Sequence, residues 1–181
     1  MELMERTHRL FFALWPTDAL RDELVKTVEP LLEHKRARRI RPDNFHITLV
    51  FLGAVQARKL PSIMEAASGL EGEPLDFTLE KVEAWPGSHV LCVTPGRCAP
   101  LRELVDSLRS NLLAHQVELD QKDFRPHVTV ARDWRDRSVE GAIGAITWSS
   151  DEFVLVESEN TREGSRYRII GRWPLATRSQ D

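Results

Sequence analysis

The chain has 181 residues, of which 41% are hydrophobic and 29% are charged. This composition is ordinary for a globular protein with a sizeable core, arranged as one compact domain or two closely packed lobes. The net charge of −3 argues against a large basic surface for sequence-independent nucleic-acid binding, but not against binding of one phosphate or one strand end. Two cysteines are too few for a disulfide scaffold.

The sequence predicts neither export nor membrane insertion. Residues 1–5 lack a basic segment followed by an apolar one, so no secretory signal is expected. No apolar run approaches the length of a membrane span. We therefore expect a cytoplasmic protein that does not bind membranes. No linker or low-complexity tract divides the chain. Residues 1–181 are expected to form a single domain made of two intertwined lobes.

Strand and helix patterns alternate along the chain. The predicted strands cover residues 9–15, 44–52, 75–85, 90–93, the segment around 127–130, 152–157 and 166–170. The predicted helices cover about residues 18–30, 57–68 and 99–114. Thr17 or Asp18 is expected to cap the first helix and Pro30 to end or kink it. Gly53 is expected to close the second strand, and Gly69 to stop the second helix.

A coarse repeat is visible in this order of elements. Roughly residues 9–69 contain a strand, a helix, a second strand and a second helix, in that order. Roughly residues 90–132 repeat the first three of these elements, namely a strand, a helix and a strand. Such a duplication indicates two similar α+β lobes, each contributing one strand to a shared cleft.

One four-residue pattern occurs twice, as HITL at residues 46–49 and HVTV at residues 127–130. At this composition, chance predicts about 0.06 copies of His-x-Thr-x with apolar residues at both x positions. Side chains alternate along a strand, so the histidine and threonine of each copy point one way and the apolar residues point into the core. Two such strands facing one cleft would supply two histidines for acid/base chemistry and two hydroxyls for an anion.

The residues around the two motifs narrow the class. They read RLFFA at 9–13, NFHITLVFLG at 44–53, RPHVTVAR at 125–132, Tyr167, and WPL at 173–175. With these flanks the chain resembles the 2H phosphoesterase family, and within it the bacterial RNA 2′,3′-cyclic phosphodiesterases, also known as 2′-5′ RNA ligases. The resemblance covers nearly the whole chain. It implies a bilobal α+β fold, in which two antiparallel sheets flanked by helices are related by pseudo-twofold symmetry around a central cleft.

The resemblance also implies an activity, namely metal-independent hydrolysis of RNA 2′,3′-cyclic phosphate ends to 2′-phosphomonoesters. It leaves reversible 2′-5′ joining of the same ends open. The resemblance implies that His46 donates a proton to the 3′-oxygen and that His127 is the acceptor that activates water. The near-identical motifs alone do not distinguish these roles. No metal-ligand spacing accompanies the motifs, so no metal and no cofactor are expected.

Four further residues are candidates for phosphate binding. The hydroxyls of Thr48 and Thr129 can donate hydrogen bonds to the non-bridging oxygens. Arg132 matches the family's arginine after the second motif and is the best cationic candidate. Arg125 is a weaker one, since it shares strand parity with His127 and could face the cleft.

Other side chains carry less specific signals. Phe11, Phe12 or Tyr167 could stack on a terminal base, although core packing is the more common role of such aromatics. The basic run at residues 35–41 fits a solvated helix end as well as an RNA contact. The remaining histidines are expected at the surface or in turns: His8, His34, His89 and His115.

Three functions stay open on the sequence alone. The favoured one is a monomeric phosphodiesterase whose partners are RNA or oligonucleotide ends bearing a 2′,3′-cyclic phosphate. A 2H phosphodiesterase acting on another cyclic nucleotide or on a 2′-5′ oligonucleotide would carry the same motifs. A non-catalytic module that binds RNA ends is the third.

Overall fold

The computed structural model describes residues 6–176, which fold into nine strands and three α-helices. The strands are β1 (Thr7–Leu14), β2 (Arg38–Arg39), β3 (Ile47–Gln56), β4 (Leu75–Trp85), β5 (Val90–Pro95), β6 (Val128–Arg132), β7 (Glu140–Ser150), β8 (Glu152–Thr161) and β9 (Gly164–Pro174). The helices are α1 (Asp18–Leu32), α2 (Leu60–Ser68) and α3 (Ala99–Ala114), and short 3-10 turns cover Pro42–Asn44 and Ala57–Lys59. Within residues 6–176, no helix is long and apolar enough to cross a membrane.

The strands form two antiparallel sheets. One has the order β3-β1-β8-β9 and the other β2-β6-β5-β4-β7. Helix α1 connects the paired strands β1 and β3, and α3 connects the paired strands β5 and β6. The order β3-β1-β8-β9 therefore corresponds to β6-β5-β4-β7, with a motif strand at the same place in each sheet. The bilobal α+β fold that the resemblance implied is confirmed, and so is the strand–helix–strand repeat.

The two lobes are interleaved along the chain and share one core. The first sheet takes β1 and β3 from the N-terminal part and β8 and β9 from the C-terminal part. The second sheet takes β4 to β7 from the middle, together with the short β2 that precedes β3. A single cluster of buried apolar residues contains Phe12 and Leu155 from the first sheet, Val93 and Trp148 from the second, and Leu108 from α3. This continuous packing fixes the position of one lobe against the other.

Helix α1 begins as predicted and ends late. The Thr17 hydroxyl accepts a hydrogen bond from the Leu20 backbone N–H at 3.3 Å, which caps the first turn. The helix then continues two residues beyond Pro30, to Leu32. Leu32 is buried on the same face as Val28, so packing holds the last turn despite the proline.

A β-bulge alters the alternation of side chains in β3. Ala13 of β1 pairs with Thr48, but the next residue, Phe12, pairs with Val50, so Leu49 has no partner on β1. The bulge moves Val50 to the buried side together with Leu49 and turns Phe51 to the side of Thr48.

Gly53 does not end β3 as predicted. The strand passes through Gly53 at φ 69° and continues to Gln56. Glycine tolerates this left-handed conformation without a steric penalty, so the chain can bend and remain in the sheet.

Two strands were missed by the sequence analysis. Strand β7 buries Ile146 and Trp148, but it exposes most of its first half, where Gly141 and Gly144 interrupt the pattern. Strand β2 is only two residues long and lies within the basic run at residues 35–41, for which a solvated helix end and an RNA contact were both left open. Its pairing with β6 uses backbone hydrogen bonds, which side-chain patterns do not report.

Candidate active site

The two motif strands face one cleft of about 250 Å³. The structure brings together the five main predicted site residues in this cleft, namely His46, Thr48, His127, Thr129 and Arg132, and the weaker candidates Phe11 and Tyr167 also line it. The rest of the lining consists of Arg9, Ile40, Asn44, Phe51, Ser158, Asn160 and Ser165.

Both histidines are held by the same local geometry. The Nδ1–H of His46 donates to the Asn44 carbonyl at 2.7 Å, and the Nδ1–H of His127 donates to the Arg125 carbonyl at 2.7 Å. In each motif the acceptor lies two residues before the histidine. A neutral imidazole carries one N–H, so these bonds leave the Nε2 lone pair of each ring for proton transfer.

The turn before the first motif sets this geometry. Pro42 begins a 3-10 turn, which closes when the Phe45 N–H donates to the Pro42 carbonyl at 2.9 Å. The Phe45 ring is buried and anchors the turn in the core. The Asn44 side chain donates to the Ser165 carbonyl of β9 at 3.0 Å, which ties the turn to the rim of the cleft. Asn44 thus positions both His46 and the adjacent rim.

Three aromatic rings surround His46. Trp15 stacks parallel to the imidazole, with centroids 5.3 Å apart and an interplanar angle of 6°. Phe11 lies at 4.9 Å, and Tyr167 contacts the ring edge-on at 5.3 Å. Burial among these groups lowers the pKa of His46 to about 4. The positive charges of His127 and Arg132 lower this pKa further, whereas the hydrogen bond to the Asn44 carbonyl opposes the shift.

His127 lies in a more open setting. The Trp85 ring is its aromatic neighbour, at 4.5 Å and tilted by 57°. Burial lowers the pKa of His127 as well, and the positive charges of Arg125 and Arg132 add to the effect. Both histidines are therefore neutral at pH 7 in the free protein, and an anion bound between them would favour their protonation.

The two threonine hydroxyls are held in different ways. Thr48 Oγ1 lies 3.1 Å from His46 Nε2 and can donate to the neutral ring. Thr129 pairs with Cys92 on β5, and its hydroxyl can donate to the Cys92 sulfur. Cys92 is fully buried, and burial raises the pKa of this thiol to about 12. Its proton is therefore retained at neutral pH, and the thiol acts as a structural support for Thr129.

Arg132 and Arg125 have different surroundings. Arg132 is exposed at the end of β6, and among the described residues it forms no ion pair. Its guanidinium is therefore available to an anion in the cleft. Arg125 does not line the cleft: it stacks over the Trp85 ring at 3.7 Å, and its Nη2 lies 3.7 Å from Glu83 Oε2. The parity argument failed for Arg125 because β6 begins only at Val128.

Of the three aromatic candidates, two line the cleft and one does not. Tyr167 and Phe11 line the cleft, although Phe11 is only 3% exposed. The suggestion that Phe12 contacts substrate is wrong, because Phe12 is fully buried on the opposite face of β1 against Phe153 and Trp173.

Three aromatic residues of the site were not predicted. Trp85 of β4 meets His127 only in the folded protein. Trp15 shares strand parity with Phe11, and this signal could have placed it beside His46. Phe51 was hidden by the bulge in β3, which no side-chain pattern announced.

One of the four remaining histidines differs from its prediction. His34 and His89 are exposed in turns with positive φ, and His115 follows the last residue of α3. His8 instead is half-buried in β1, and its Nδ1 lies 2.5 Å from the carboxylate of the buried Glu157.

Metal-binding side chains do not cluster in the part of the chain that the structure describes. Within residues 6–176, no group of three or more His, Cys, Asp or Glu side chains lies close enough together to hold a metal ion.

Two His-x-Thr-x motifs around one cleft, on two interleaved antiparallel sheets, define a bilobal two-histidine α+β protein. The chain belongs to the 2′-5′ RNA ligase superfamily, whose family model matches residues 16–162. The family resemblance drawn from the motifs and their flanks is thus confirmed.

Relatives match this chain over most of its length. The RNA 2′,3′-cyclic phosphodiesterase of Escherichia coli K12 is 29% identical over 177 residues, which cover 95% of this chain and 99% of the relative. A protein of the same name from Archaeoglobus fulgidus is 32% identical over 157 residues, 85% of this chain and 88% of the relative. The crystal structure of E. coli LigT complexed with 3′-AMP matches with a TM-score of 0.87 at 26% identity, covering 95% of this chain and 100% of LigT.

Proposed function

We propose that this protein hydrolyses RNA 2′,3′-cyclic phosphate ends to 2′-phosphomonoesters without a metal ion, using His46 as proton donor and His127 as proton acceptor. The main support for this proposal is the pair of imidazoles in one cleft. Each ring donates through Nδ1–H to a main-chain carbonyl, which leaves Nε2 for proton transfer. Relatives named RNA 2′,3′-cyclic phosphodiesterase support the substrate class. The LigT complex with 3′-AMP supports a nucleotide as ligand.

The proposed reaction needs one proton acceptor and one proton donor. His127 Nε2 takes a proton from water as the water oxygen attacks phosphorus. The bond between phosphorus and the 3′-oxygen breaks, and His46 Nε2–H protonates that oxygen. The phosphate stays on the 2′-oxygen. Afterwards His46 is neutral and His127 is charged, so exchange of protons with solvent restores the starting state.

Three groups hold the developing negative charge. Thr48 and Thr129 donate hydrogen bonds to the non-bridging oxygens, and the Arg132 guanidinium adds a positive charge from the end of β6. The substrate is itself an anion, so its binding raises the pKa of His46 from the low value in the free protein. The donor proton is thus acquired together with the substrate.

A product assay tests the bond that is broken. Purified protein in EDTA is given adenosine 2′,3′-cyclic phosphate, and the products are identified by phosphorus NMR. We expect the 2′-phosphate alone, with turnover lowered about 10²- to 10⁴-fold in H46N and in H127N. H34N, which alters an exposed histidine in a turn, should match the wild type. Formation of the 3′-phosphate, or loss of turnover in EDTA, would contradict the proposal.

A second substrate tests the two roles. If the 3′-oxygen of the cyclic phosphate is replaced by sulfur, the leaving thiolate needs no general acid. H46N should then recover most of the wild-type rate, whereas H127N should stay inactive. Recovery in H127N instead would reverse the assignment of donor and acceptor.

The same site can also use an RNA 5′-hydroxyl in place of water as the attacking group. His127 then takes the proton of the 5′-hydroxyl, the bond between phosphorus and the 3′-oxygen breaks as His46 protonates that oxygen, and a 2′-5′ linkage forms. Incubating an RNA with a 2′,3′-cyclic phosphate end and a second RNA with a 5′-hydroxyl end tests this directly. We expect a joined product that depends on both histidines. In the hydrolysis assay, faster turnover of another cyclic nucleotide or of a 2′-5′ oligonucleotide than of the RNA 2′,3′-cyclic phosphate would favour that compound as the substrate.

A further inference from the structure

Few side chains hold the imidazole of His127. The first motif follows a 3-10 turn that Phe45 anchors in the core, whereas residues 117–127 before the second motif have no regular secondary structure. Three aromatic rings surround His46, but among the described residues His127 has one aromatic neighbour, Trp85, with centroids 4.5 Å apart. Beyond its main-chain hydrogen bond, the orientation of His127 therefore depends on how firmly Trp85 is held.

Two charged side chains hold Trp85 in place. The guanidinium carbon of Arg125 lies 3.7 Å from the centroid of the Trp85 ring, well within the range of a cation–π contact. The indole Nε1–H donates to Glu83 Oε2 at 3.3 Å, and Arg125 Nη2 lies 3.7 Å from the same oxygen. Each of these three side chains thus contacts the other two. We call Glu83, Trp85 and Arg125 the Trp85 cluster.

The second sheet places this cluster beside the second motif. Glu83 and Trp85 are two residues apart at the end of β4, so they share one face of the strand. Glu83 pairs with Cys92 on β5, and Cys92 pairs with Thr129 on β6. Cross-strand partners share a face, and Thr129 lines the cleft. The cluster therefore lies on the cleft face of the sheet, although none of its members lines the cleft itself.

Arg125 connects the cluster to the histidine in two ways. Its carbonyl accepts the Nδ1–H of His127 at 2.7 Å. Its guanidinium stacks on the Trp85 ring that packs against the same imidazole. Pro126, between the arginine and the histidine, fixes one backbone angle of the connection. A change in the Arg125 side chain is therefore transmitted to the imidazole by Trp85, while the main-chain bond is left in place.

Arg125 also brings a positive charge close to the imidazole. Burial is the main cause of the lowered pKa of His127, and the charges of Arg125 and Arg132 add to it. A proton acceptor must be neutral before it acts, so this charge favours the active form. The other ionisable groups around this part of the site are His46 across the cleft, Glu83 on β4 and the protonated thiol of Cys92 on β5.

We propose that Trp85, held by Arg125 and Glu83, is a positioning residue that keeps Nε2 of His127 directed at the attacking water. This inference rests on the proposed function for the role of His127. The three residues of the cluster lie outside the cleft and act through the histidine. They should therefore affect the rate of the chemical step and not the binding of substrate.

Steady-state kinetics separate positioning from binding. R125Q alters a side chain that is 63% exposed. It should lower kcat on adenosine 2′,3′-cyclic phosphate about tenfold and leave KM within about twofold. It should also move the kcat/KM profile to higher pH, whereas R125K, which keeps the charge, should leave the profile in place. R172Q is the matched control, because Arg172 is comparably exposed and is paired with Glu152 away from the cleft.

A double substitution tests whether the effect passes through His127. W85A should lower kcat about tenfold or more, and W85F, which keeps an aromatic ring, should retain most of the rate. H127N with W85A should be as active as H127N alone, because no imidazole is left to position. A further loss in the double variant would mean that Trp85 supports the cleft in general, and would overturn the proposal.

Nitrogen-15 NMR of the imidazoles provides a readout without turnover. In W85A the fraction of His127 in the Nδ1–H tautomer should fall while that of His46 stays unchanged, and in R125Q the pKa of His127 should rise more than that of His46. If the wild type turns over no cyclic phosphate, the proposed function fails, yet these selective changes at His127 still support the positioning role. Should W85A not fold, R125Q carries the test alone. An undiminished kcat in R125Q, a loss confined to KM, or an unmoved His127 resonance would overturn the proposal.

Discussion

His46 and His127 have the same hydrogen-bonding geometry but different surroundings. Each donates through Nδ1 to the carbonyl two residues earlier. His46 is enclosed by Trp15, Phe11 and Tyr167, whereas His127 has Trp85 as its aromatic neighbour. The sequence predicted the two equivalent motifs but not this asymmetry, because the enclosing rings come from β1 and β9 and meet His46 only in the folded protein.

The lowered pKa values predict an acidic optimum for kcat/KM, which reports the free enzyme. Burial lowers the pKa of both rings from 6.5, so the bell-shaped profile of kcat/KM should peak below pH 6.5. The profile of kcat should peak at higher pH, because the bound anion raises both pKa values. Rate measurements from pH 4 to 9 check this, and a kcat/KM optimum above pH 7 would contradict it.

Arg132 provides an electrostatic control for that profile. Its charge contributes to the lowered pKa of both histidines. R132Q should therefore move the kcat/KM profile to higher pH while reducing the rate, whereas R132K should keep the profile in place. A profile that is unmoved in R132Q would mean that burial alone sets these pKa values.

The Thr48 hydroxyl is predicted to act on the transition state. T48V keeps the shape of the side chain but removes the donor to the phosphate and to His46 Nε2. We expect kcat to fall about 100-fold with little change in stability, and T48S to recover most of the activity. T147V, which alters an exposed threonine of β7, is the matched control. An undiminished kcat in T48V would exclude the proposed role of this hydroxyl.

At the scale of elements, prediction succeeded where side-chain pattern and backbone geometry agree. The predicted strand 75–85 and the predicted helix 99–114 have the same bounds as β4 and α3. Prediction failed for β7, whose exposed glycine-containing half lacks an apolar alternation. It also failed at the bulge in β3, so the exposed ring of Phe51 was not foreseen.

Gly53 is predicted to be a backbone requirement of β3. Its φ of 69° is costly for any residue with a side chain, whereas a Cβ at this position would meet Phe51 only at an ordinary 3.6 Å. G53A should lower the free energy of unfolding by about 1–2 kcal/mol. G144A in β7, where a Cβ meets nothing within 4 Å, should be neutral or slightly stabilising. Equal effects of the two substitutions in urea titrations would contradict this explanation.

At the scale of the whole molecule, the interleaving of the lobes determines how the protein unfolds. The first sheet needs strands from both ends of the chain. The second sheet, β2-β6-β5-β4-β7, packs into the same hydrophobic core. The sequence predicted two intertwined lobes but not which strands join them, because the pairing of β1 with β8 spans most of the chain. Neither lobe can bury its apolar surface alone, so we expect a single unfolding transition.

Two matched substitutions test this cooperativity. Ile47 in the first sheet and Ile146 in the second are both buried in the common core. I47V and I146V should each lower the free energy of unfolding by about 1 kcal/mol. In each variant, the unfolding midpoint followed by tryptophan fluorescence and the midpoint followed by far-ultraviolet circular dichroism should shift by the same amount. If the lobes unfolded independently, the two probes would separate, and each substitution would move only the transition of its own sheet. Coincident shifts in both variants are expected because a cavity in either sheet weakens the one core that holds His46 and His127 in the same cleft.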